Sequence, residues 1–380
     1  MQMSGSTPPL LSQPRVEEGA DDPKLGFART IDRSFVHRES LAEVFVTDTQ
    51  PLGADAHAAA AQLPRSHAYF GDHLLQPRLY DPVLLLEACR QMGLAIAHTH
   101  YGVPFDHKFV LTTLSVDITH PDRLRVGASP CPLTALCSIG NKKVRDGRVR
   151  GYDARFRLFV SGAEVGTASV GLRFKDADGY HALRMGNRNG RPFGTTDTVA
   201  FPLVGEVPAP YLVGRSSADN VVLAGLTGEG DGVGASLRVL PHHPSLFDHP
   251  QDHLPGMVLV EAARQAALNS VLEGWGMSPA KAFPFRMEAE FVRFGELEPR
   301  TDIRTGVRSA EGGDDDVYYT QGGTVEYRSR SERSAAEPVL VDVDVRQQEE
   351  TIARVVVGTL HLPELVAAHR GHGRWGRGTA

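Results

Sequence analysis

The chain contains two long apolar stretches that very few charged residues interrupt. In the second stretch, residues 257–267, the exceptions are Glu261, Arg264 and Gln265. A run of this length and composition predicts a helix that is buried on most of its faces, and the Pro-Gly pair just before it marks the turn where the helix begins.

The two charges in this predicted helix need a partner or a task. Glu261 and Arg264 are three positions apart, which puts them on one face of a helix and within hydrogen-bonding reach of each other. A buried carboxylate and a buried guanidinium are costly unless they are paired or used in chemistry. From this helix alone, a structural ion pair and a functional pair are equally consistent with the sequence.

The same pattern occurs earlier in the chain. Residues 86–91 read Leu-Glu-Ala-Cys-Arg-Gln and match Val-Glu-Ala-Ala-Arg-Gln at 260–265, so 174 residues separate Glu87 from Glu261. An Asp-His pair precedes each helix, and an arginine lies further upstream in each half at equivalent positions, Arg38 and Arg215. The chain is therefore an internal duplication of about half its length.

Downstream of each helix, apolar and polar residues alternate as they do in half-buried strands, over 109–118 and 285–294. Each half then closes with a predicted hairpin, over 155–174 and 339–360, around a polar turn. A helix wrapped by several antiparallel strands is an α+β hot-dog unit. The duplication predicts a double hot-dog, with two such units in tandem.

Composition divides the chain into five predicted segments, with polar, Gly- and Pro-rich sequence at the ends and between the repeats. They are a disordered arm over 1–26, the first hot-dog repeat over 27–183, a linker over 184–198, the second repeat over 199–365 and a flexible tail over 366–380.

The overall composition excludes several classes of function. With 380 residues and 41% hydrophobic content the chain can bury two cores, and a formal net charge of −6 gives no electrostatic case for binding nucleic acid. No apolar run has membrane-spanning length and no leader segment is evident, which predicts a soluble cytoplasmic protein without a membrane partner. The cysteines form no metal-type doublet and the histidines near Asp248 lack tetrahedral ligand spacing, so neither a metal nor another cofactor is expected.

Several motifs together resemble one family. The Asp-His and Glu-Ala-Ala-Arg-Gln motifs, the Phe-Val-His-Arg and Ala-Glu-Val-Phe-Val segments within 35–46, and Leu-Pro-Arg-Ser-His at 63–67 occur in one order at consistent spacing. They are similar to those of the AfsA-type enzymes of actinobacterial γ-butyrolactone and butenolide signal synthesis, and the resemblance covers residues 31–362.

This resemblance implies a reaction and two partners. In the family, a β-ketoacyl group is transferred from acyl carrier protein to the hydroxyl of dihydroxyacetone phosphate, and later steps convert the ester to a signal that controls antibiotic production. The expected partners are therefore the β-ketoacyl-acyl carrier protein and dihydroxyacetone phosphate. Homodimerisation of the double unit stays open.

A more distant resemblance is to hot-dog acyl-carrier-protein dehydratases, in which a histidine lies fourteen residues before an acid on the central helix. His73 and Glu87 have that spacing, whereas His249 and Glu261 are twelve residues apart. Only the second repeat keeps a glycine at the helix start, where the first has proline at 82. A dehydratase, a thioesterase and a non-catalytic acyl-binding regulatory protein are the alternative functions.

Acyl transfer to a hydroxyl needs a base or orienting group for the alcohol, donors for the oxyanion and a binding trough for the acyl chain. Glu261 is the preferred base or orienting group. Hot-dog dimers place the histidine of one unit opposite the acid of the other, which predicts two cross-repeat pairs, His73 with Glu261 and His249 with Glu87. Capping or packing of these histidines is an equally good interpretation.

The remaining predictions concern binding. Arg264 and Arg90 are expected to hold the phosphate or the carboxylates, because a guanidinium presents a rigid fork of donors. The backbone amides of Gly256 and Met257 at the helix start are expected to face the oxyanion. His37-Arg38 and the segment 65–67 could bind phosphate or carrier protein, but a polar cluster at a strand end is the simpler interpretation. Glu43 alternates with apolar neighbours, as in a strand, and is expected to face solvent. The predicted catalytic residues are Glu261, Arg264, Glu87 and His73, and the predicted substrate-binding residues are Arg90, Gln91, Gln265, His249, Gly256 and Met257.

Overall fold

The computed structural model describes residues 24–229, 232–307 and 338–362. The predicted tail over 366–380 and nearly all of the predicted arm over 1–26 lie outside these residues. Within them the helices are α1 Pro82–Tyr101, α2 Ala177–Asn187 and α3 Gly256–Trp275. The strands of the first half are β1 Val46–Pro51, β2 Ala56–Leu63, β3 Lys108–Ile118, β4 Cys131–Arg145, β5 Arg148–Val160 and β6 Ala163–Lys175. Those of the second half are β7 Leu223–Glu229, β8 Gly232–Leu237, β9 Ala282–Phe291, β10 Thr301–Val307, β11 Val339–Gln347 and β12 Glu350–His361.

All of these strands belong to one antiparallel sheet in the order β1-β2-β4-β5-β6-β3-β9-β12-β11-β10-β8-β7. The second half repeats the order of the first in reverse, starting from the central pair β3–β9, where Leu114 lies opposite Ala289. A two-fold relation between the halves therefore passes through this pair. The predicted duplication and the α+β double hot-dog are both confirmed.

Helices α1 and α3 lie in the core, with nearly every apolar side chain along them buried. Both end at a glycine in the left-handed region, Gly102 with φ 61° and Gly276 with φ 65°, which lets the chain leave the helix without Cβ strain. Their starts differ. The Asp81 side chain caps α1 by accepting a hydrogen bond from the Val83 amide at 2.8 Å, whereas Pro255 offers no capping side chain to α3.

Several strand boundaries follow the sequence prediction. The hairpins β5–β6 and β11–β12 form as expected, and β3 matches its predicted range, but β9 spans 282–291 instead of 285–294. Two strands precede each central helix, β1 and β2 before α1 and β7 and β8 before α3. The sequence pattern did not separate β4 and β10 from the surrounding turns.

Helix α2 was not predicted and includes the first residues of the segment assigned to the linker. Arg184 near its end is fully buried and donates to Glu296 at 2.7 Å, while its guanidinium lies 4.6 Å from the centre of the Phe294 ring. A buried guanidinium needs a charge partner, and Glu296 provides it. These contacts therefore hold α2 against the second repeat. Of the helices in the described segments, none has both the length and the apolar character needed to cross a membrane.

Candidate active site

Two charged clusters lie inside the core, one on each central helix. The predicted i,i+3 pairs are both formed: Arg90 donates to the two oxygens of Glu87 at 2.7 and 2.8 Å, and Arg264 Nη2 donates to Glu261 Oε2 at 2.5 Å. Both glutamates are completely buried. We refer to Arg38, Glu87, Arg90 and Gln91 as the Glu87 cluster, and to Arg215, Glu261, Arg264 and Gln265 as the Glu261 cluster.

A second arginine reaches each glutamate from the loop that precedes the first strand of its repeat. Arg38 Nη2 donates to Glu87 Oε1 at 2.6 Å, and Arg215 donates to Glu261 Oε1 through Nε at 2.9 Å and through Nη2 at 2.7 Å. Arg38 does lie in a polar cluster, as predicted, but this cluster is buried on the central helix and not at a strand end. Its recurrence as Arg215 was the available signal, but local periodicity cannot reveal a contact across 49 residues.

The glutamine of each motif ties its helix to the chain entering the first strand. Gln91 donates to Glu87 at 2.8 Å and to the Glu43 carbonyl at 2.7 Å, and it accepts from the Phe45 amide at 2.9 Å. Gln265 makes the equivalent contacts in the second repeat. Both side-chain amides are thus used in holding the glutamate and the backbone, and the predicted contact with substrate stays a prediction.

Each cluster is completed by the other repeat. Asp72 accepts from the Ser216 amide at 3.0 Å, next to Arg215, and Asp248 accepts from the Glu39 and Ser40 amides at 2.6 and 3.0 Å, next to Arg38. Burial would raise the pKa of both aspartates, but hydrogen bonds outweigh it and lower the pKa. The strongest of them come from the Asn220 and Ser216 side chains to Asp72 and from His249 to Asp248, followed by the backbone amides. The aspartate of each Asp-His motif therefore fixes the arginine loop of the opposite repeat.

The Glu261 carboxylate has a hydrogen-bond donor at every position around it. Besides its two arginines, it accepts from Gln265 at 2.5 Å and from the Tyr69 hydroxyl at 2.9 Å, and Tyr69 comes from the first repeat. The surroundings of Glu261 are therefore strongly polar, not the apolar setting expected from the sequence of its helix. Arg264 is paired with a second carboxylate as well, because its Nη1 donates to Asp81 at 2.6 Å.

The Glu87 carboxylate has fewer partners. Its Oε2 accepts only from Arg90 among the described residues, because Ser245 stands where the other cluster has Tyr69 and instead donates to Glu43 at 2.8 Å. Arg38 Nε is buried without a partner, and Arg90 Nη1 makes no hydrogen bond to any described residue. Burial alone would raise the pKa of Glu87, but Arg38 and Arg90 outweigh it and hold the pKa well below its usual range.

The predicted histidine–glutamate pairs are not hydrogen-bonded, because guanidinium groups occupy the positions around both carboxylates. His73 Nε2 instead lies 2.8 Å from the Leu79 carbonyl oxygen, and its Nδ1 is buried without a partner. His73 also does not approach Glu87, although the two have the dehydratase spacing. It lines a small pocket next to the Glu261 cluster together with His67, Arg78, Tyr80, Asp81 and Leu84.

His249 is held differently from His73. Its Nδ1 lies 3.3 Å from the carboxylate of the neighbouring Asp248, and a third of its side chain is exposed. A carboxylate on one ring nitrogen orients the imidazole and leaves the other nitrogen able to accept a proton.

His37 shows that positive charge converges beside the Glu87 cluster. Its ring lies 2.9 Å from His98 through the two Nε2 atoms. Burial, followed by the charges of His98, Arg90, Lys108 and His249, lowers the pKa of His37 to about 3. Groups from both repeats therefore act on His37, beside the Glu87 cluster.

Glu43 was predicted to face solvent, and this is wrong. It is only 4% exposed, and its carboxylate contacts Ser245 Oγ at 2.8 Å and His67 Nε2 at 3.4 Å. The residues around it form a short 3₁₀ turn, Leu41–Glu43, before β1 instead of the strand that the alternation suggested, and the turn directs this side chain inward.

The start of α3 has free backbone donors. The amides of Gly256 and Met257 donate to no described residue. A Cβ at Gly256 would lie 2.8 Å from the Phe291 ring, so the close approach of that ring requires glycine here. In the described parts of the chain, no three His, Cys, Asp or Glu side chains are arranged to hold a metal ion.

Comparison with known proteins agrees with this duplicated architecture. The family model described as "AfsA: A-factor biosynthesis hotdog domain" matches the chain twice, over residues 19–176 and 206–363. A 2-oxo-3-(phosphooxy)propyl 3-oxoalkanoate synthase from Streptomyces virginiae is 33% identical over 77% of this chain and 92% of its own length. The enzyme of the same name from Streptomyces coelicolor is 30% identical over 74% of this chain and 83% of its own. Among solved structures, the 12:0-ACP thioesterase from Umbellularia californica matches 80% of this chain and 94% of its own chain, at 10% identity and with a TM-score of 0.41.

Proposed function

Because the chain belongs to the AfsA family of A-factor biosynthesis hot-dog proteins, we propose that it is a 2-oxo-3-(phosphooxy)propyl 3-oxoalkanoate synthase. The single observation that carries the proposal is the 33% identity to the Streptomyces virginiae enzyme of that name over 92% of its length. The donor would be a β-ketoacyl thioester on acyl carrier protein, and the acceptor would be dihydroxyacetone phosphate. We also propose a cytoplasmic location, which the nature of both substrates supports.

The proposed reaction is an ester-forming acyl transfer. The acceptor hydroxyl loses its proton to a base and attacks the thioester carbonyl, which forms the new C–O bond. The tetrahedral intermediate then breaks its C–S bond, and the carrier-protein thiolate takes the proton from the base. No oxidant, reductant or metal is needed for this balance.

We propose that the Glu87 cluster is the working one. A carboxylate that already accepts hydrogen bonds at every position, as Glu261 does, has no room for a substrate hydroxyl, whereas Glu87 Oε2 accepts only one bond from the described residues. Glu87, with its low pKa, would orient the hydroxyl and not remove its proton. The base would be His249, which Asp248 orients and which is partly exposed.

The first experiment tests the reaction itself. Purified protein is mixed with a β-ketoacyl-acyl carrier protein, with and without dihydroxyacetone phosphate, and the products are followed by mass spectrometry. A phosphorylated β-ketoacyl ester that appears only with both substrates is expected. Thioester loss that does not depend on the phosphate compound would reassign the protein as a thioesterase, and formation of an enoyl product from a β-hydroxyacyl thioester would make it a dehydratase.

A matched pair of variants then tests the assignment to one cluster. His249→Asn is expected to lower kcat by about 10²- to 10⁴-fold, the usual contribution of a general base, with the structure intact by circular dichroism. His73→Asn is the equivalent change in the other half. If His73→Asn were the variant that lost activity, the working site would be the Glu261 cluster, as the sequence alone suggested.

A further inference from the structure

Asp81 occupies a defined position in the Glu261 cluster. Its carboxylate accepts from the Val83 amide at the start of α1 at 2.8 Å and from Arg264 Nη1 at 2.6 Å. An anion is therefore bound there between a helix start and a guanidinium, and the anion belongs to the chain itself.

From the two-fold relation between the repeats we infer that the start of α3 lies in the same position relative to Arg90. Other contacts between the repeats occur in such equivalent pairs: Asp72 and Asp248 each bind the opposite arginine loop, and Arg215 and Arg38 each point to a carbonyl of the opposite repeat. In this relation Met257 corresponds to Val83 and Arg90 to Arg264. Pro255, which has no acceptor atom in its side chain, corresponds to Asp81.

The donors that would bind the missing anion are free. The Met257 and Gly256 amides and Arg90 Nη1 make no hydrogen bond to any described residue. The Arg90 side chain is 14% exposed, compared with 5% for Arg264, so this site is more accessible from outside.

The balance of charges around the two helix arginines also favours an anion site at Arg90. Arg264 contacts two carboxylates, those of Glu261 and Asp81. Among the carboxylates of the described residues, Arg90 contacts only Glu87 and shares it with Arg38. Glu43 does not supply the missing charge to Arg90, because its contacts are with Ser245 and His67. A largely buried guanidinium without its own counter-ion favours binding of an anion.

We propose that the start of α3 and Arg90 bind the phosphate monoester of the acceptor substrate, in the position that the Asp81 carboxylate fills in the other half. This inference rests on the proposed function, because it assigns one substrate's phosphate to the Glu87 cluster. Lys108, whose charge acts on His37 together with that of Arg90, adds positive charge to this region.

The alternative occupant of these amides is the oxyanion of the thioester, as the sequence suggested. Phosphate is favoured because the position is defined in the other half by a full, permanent carboxylate charge with a guanidinium on one side. A transient oxyanion needs only neutral donors, whereas a permanent anion needs a cation as well.

The test transfers the carboxylate of one half to the other. In the full chain, Pro255→Asp places an acid where Asp81 stands in the first repeat, and Pro255→Asn is the matched neutral variant with a similar shape and a similar capping ability. Binding of inorganic phosphate and of dihydroxyacetone phosphate is measured by isothermal titration calorimetry, and circular dichroism and thermal melting confirm that both variants fold.

Pro255→Asp is expected to weaken binding of both phosphate compounds by about tenfold or more relative to Pro255→Asn, because the new carboxylate occupies and neutralises the site. Arg90→Gln, which removes the charge but keeps a polar side chain, should weaken binding similarly and provides a second measurement if Pro255→Asp does not fold. Equal phosphate affinity in the two Pro255 variants, or unchanged affinity in Arg90→Gln, would overturn the proposal. A drop in kcat for Pro255→Asp with unchanged phosphate affinity would assign the amides to the oxyanion instead.

The result also separates this inference from the proposed function. Phosphate binding that depends on residue 255, together with no acyl transfer under any condition, would leave the anion site standing and refute the synthase. Acyl transfer to dihydroxyacetone phosphate without any effect of residue 255 on phosphate affinity would support the synthase and refute the anion site.

Discussion

The two central clusters have the same motif and opposite character. In the Glu261 cluster, Tyr69 and Asp81 from the first repeat complete the hydrogen bonds of Glu261 and Arg264, so the charges are neutralised within the protein. In the Glu87 cluster, Ser245 and Pro255 stand at the equivalent positions, and donors are left free. Under the proposed assignment, the shared Glu-x-x-Arg-Gln motif does not itself distinguish a structural site from a functional one. The residues contributed by the opposite repeat do.

The largest expected effect on stability separates the two helix arginines. Arg264→Ala leaves the buried Asp81 without its arginine and removes one of two guanidinium groups from Glu261, which should lower the free energy of unfolding by about 3–5 kcal/mol. Arg90→Ala leaves Glu87 paired with Arg38 and Gln91, and a loss of about 1–3 kcal/mol is expected. Urea denaturation of both variants measures this, and equal losses would contradict the contrast between the clusters.

A smaller effect is expected for the tyrosine that closes the Glu261 cluster. Tyr69→Phe removes only the hydroxyl that donates to Glu261 at 2.9 Å, and the loss of a hydrogen bond to a charged group should lower the free energy of unfolding by about 1.5–3 kcal/mol. The acyl transfer rate per folded molecule should stay as in the parent protein. A large decrease in kcat without loss of stability would show that Tyr69 acts on substrate.

The smallest change in the free energy of unfolding near neutral pH is expected for His37→Gly, which replaces His37 by the residue that the other repeat has at this position. Gly214 stands at the equivalent position, and both residues have positive φ, 52° for His37 and 78° for Gly214. Glycine relieves the left-handed strain, which offsets part of the lost ring contacts with His98 and Phe109.

The same variant should change the pH dependence of stability. The pKa of His37 is lowered to about 3 in the folded protein, so the unfolded chain binds an extra proton between about pH 3 and its ordinary pKa near 6.5. The stability that the buried, neutral His37 contributes is therefore fully present above about pH 6.5 and is lost as the pH falls towards 3. His37→Gly should therefore be less sensitive to acid than the parent in denaturation at pH 4.5 and 7, and an unchanged slope would contradict the burial of a neutral His37.

Much of the fold followed from the sequence because its signals are local or repeated. The apolar runs around Glu87 and Glu261, the i,i+3 spacing to their arginines and the alternation in β3 each lie within one element, and the duplication fixed the architecture. The boundary of β9 and helix α2 were missed. The position of α2 depends on Arg184 reaching Glu296, 112 residues away.

The site was less predictable for the same physical reason. Tyr69 contacts Glu261 across 192 residues and Ser245 contacts Glu43 across 202, and neither distance leaves a periodic signal in the sequence. The solvent-facing prediction for Glu43 failed because alternation was read as a strand where the chain makes a tight turn. The predicted histidine–glutamate pairing was wrong because Arg38 and Arg215 occupy the carboxylates, and no local pattern indicates that these two arginines reach the central helices.

The direct pairing of β3 with β9 joins both halves into one sheet on one chain. In an assembly of two identical chains, every amino-acid replacement appears at both equivalent positions, so a carboxylate added at one helix start is added at the other as well. Covalent fusion removes this restriction, since residues 81 and 255 are encoded separately. One half can therefore carry an aspartate that stabilises the fold, while the other half lacks it and keeps its donors free for a ligand. The stability that the proposed binding site lacks is then supplied by the half that carries the aspartate.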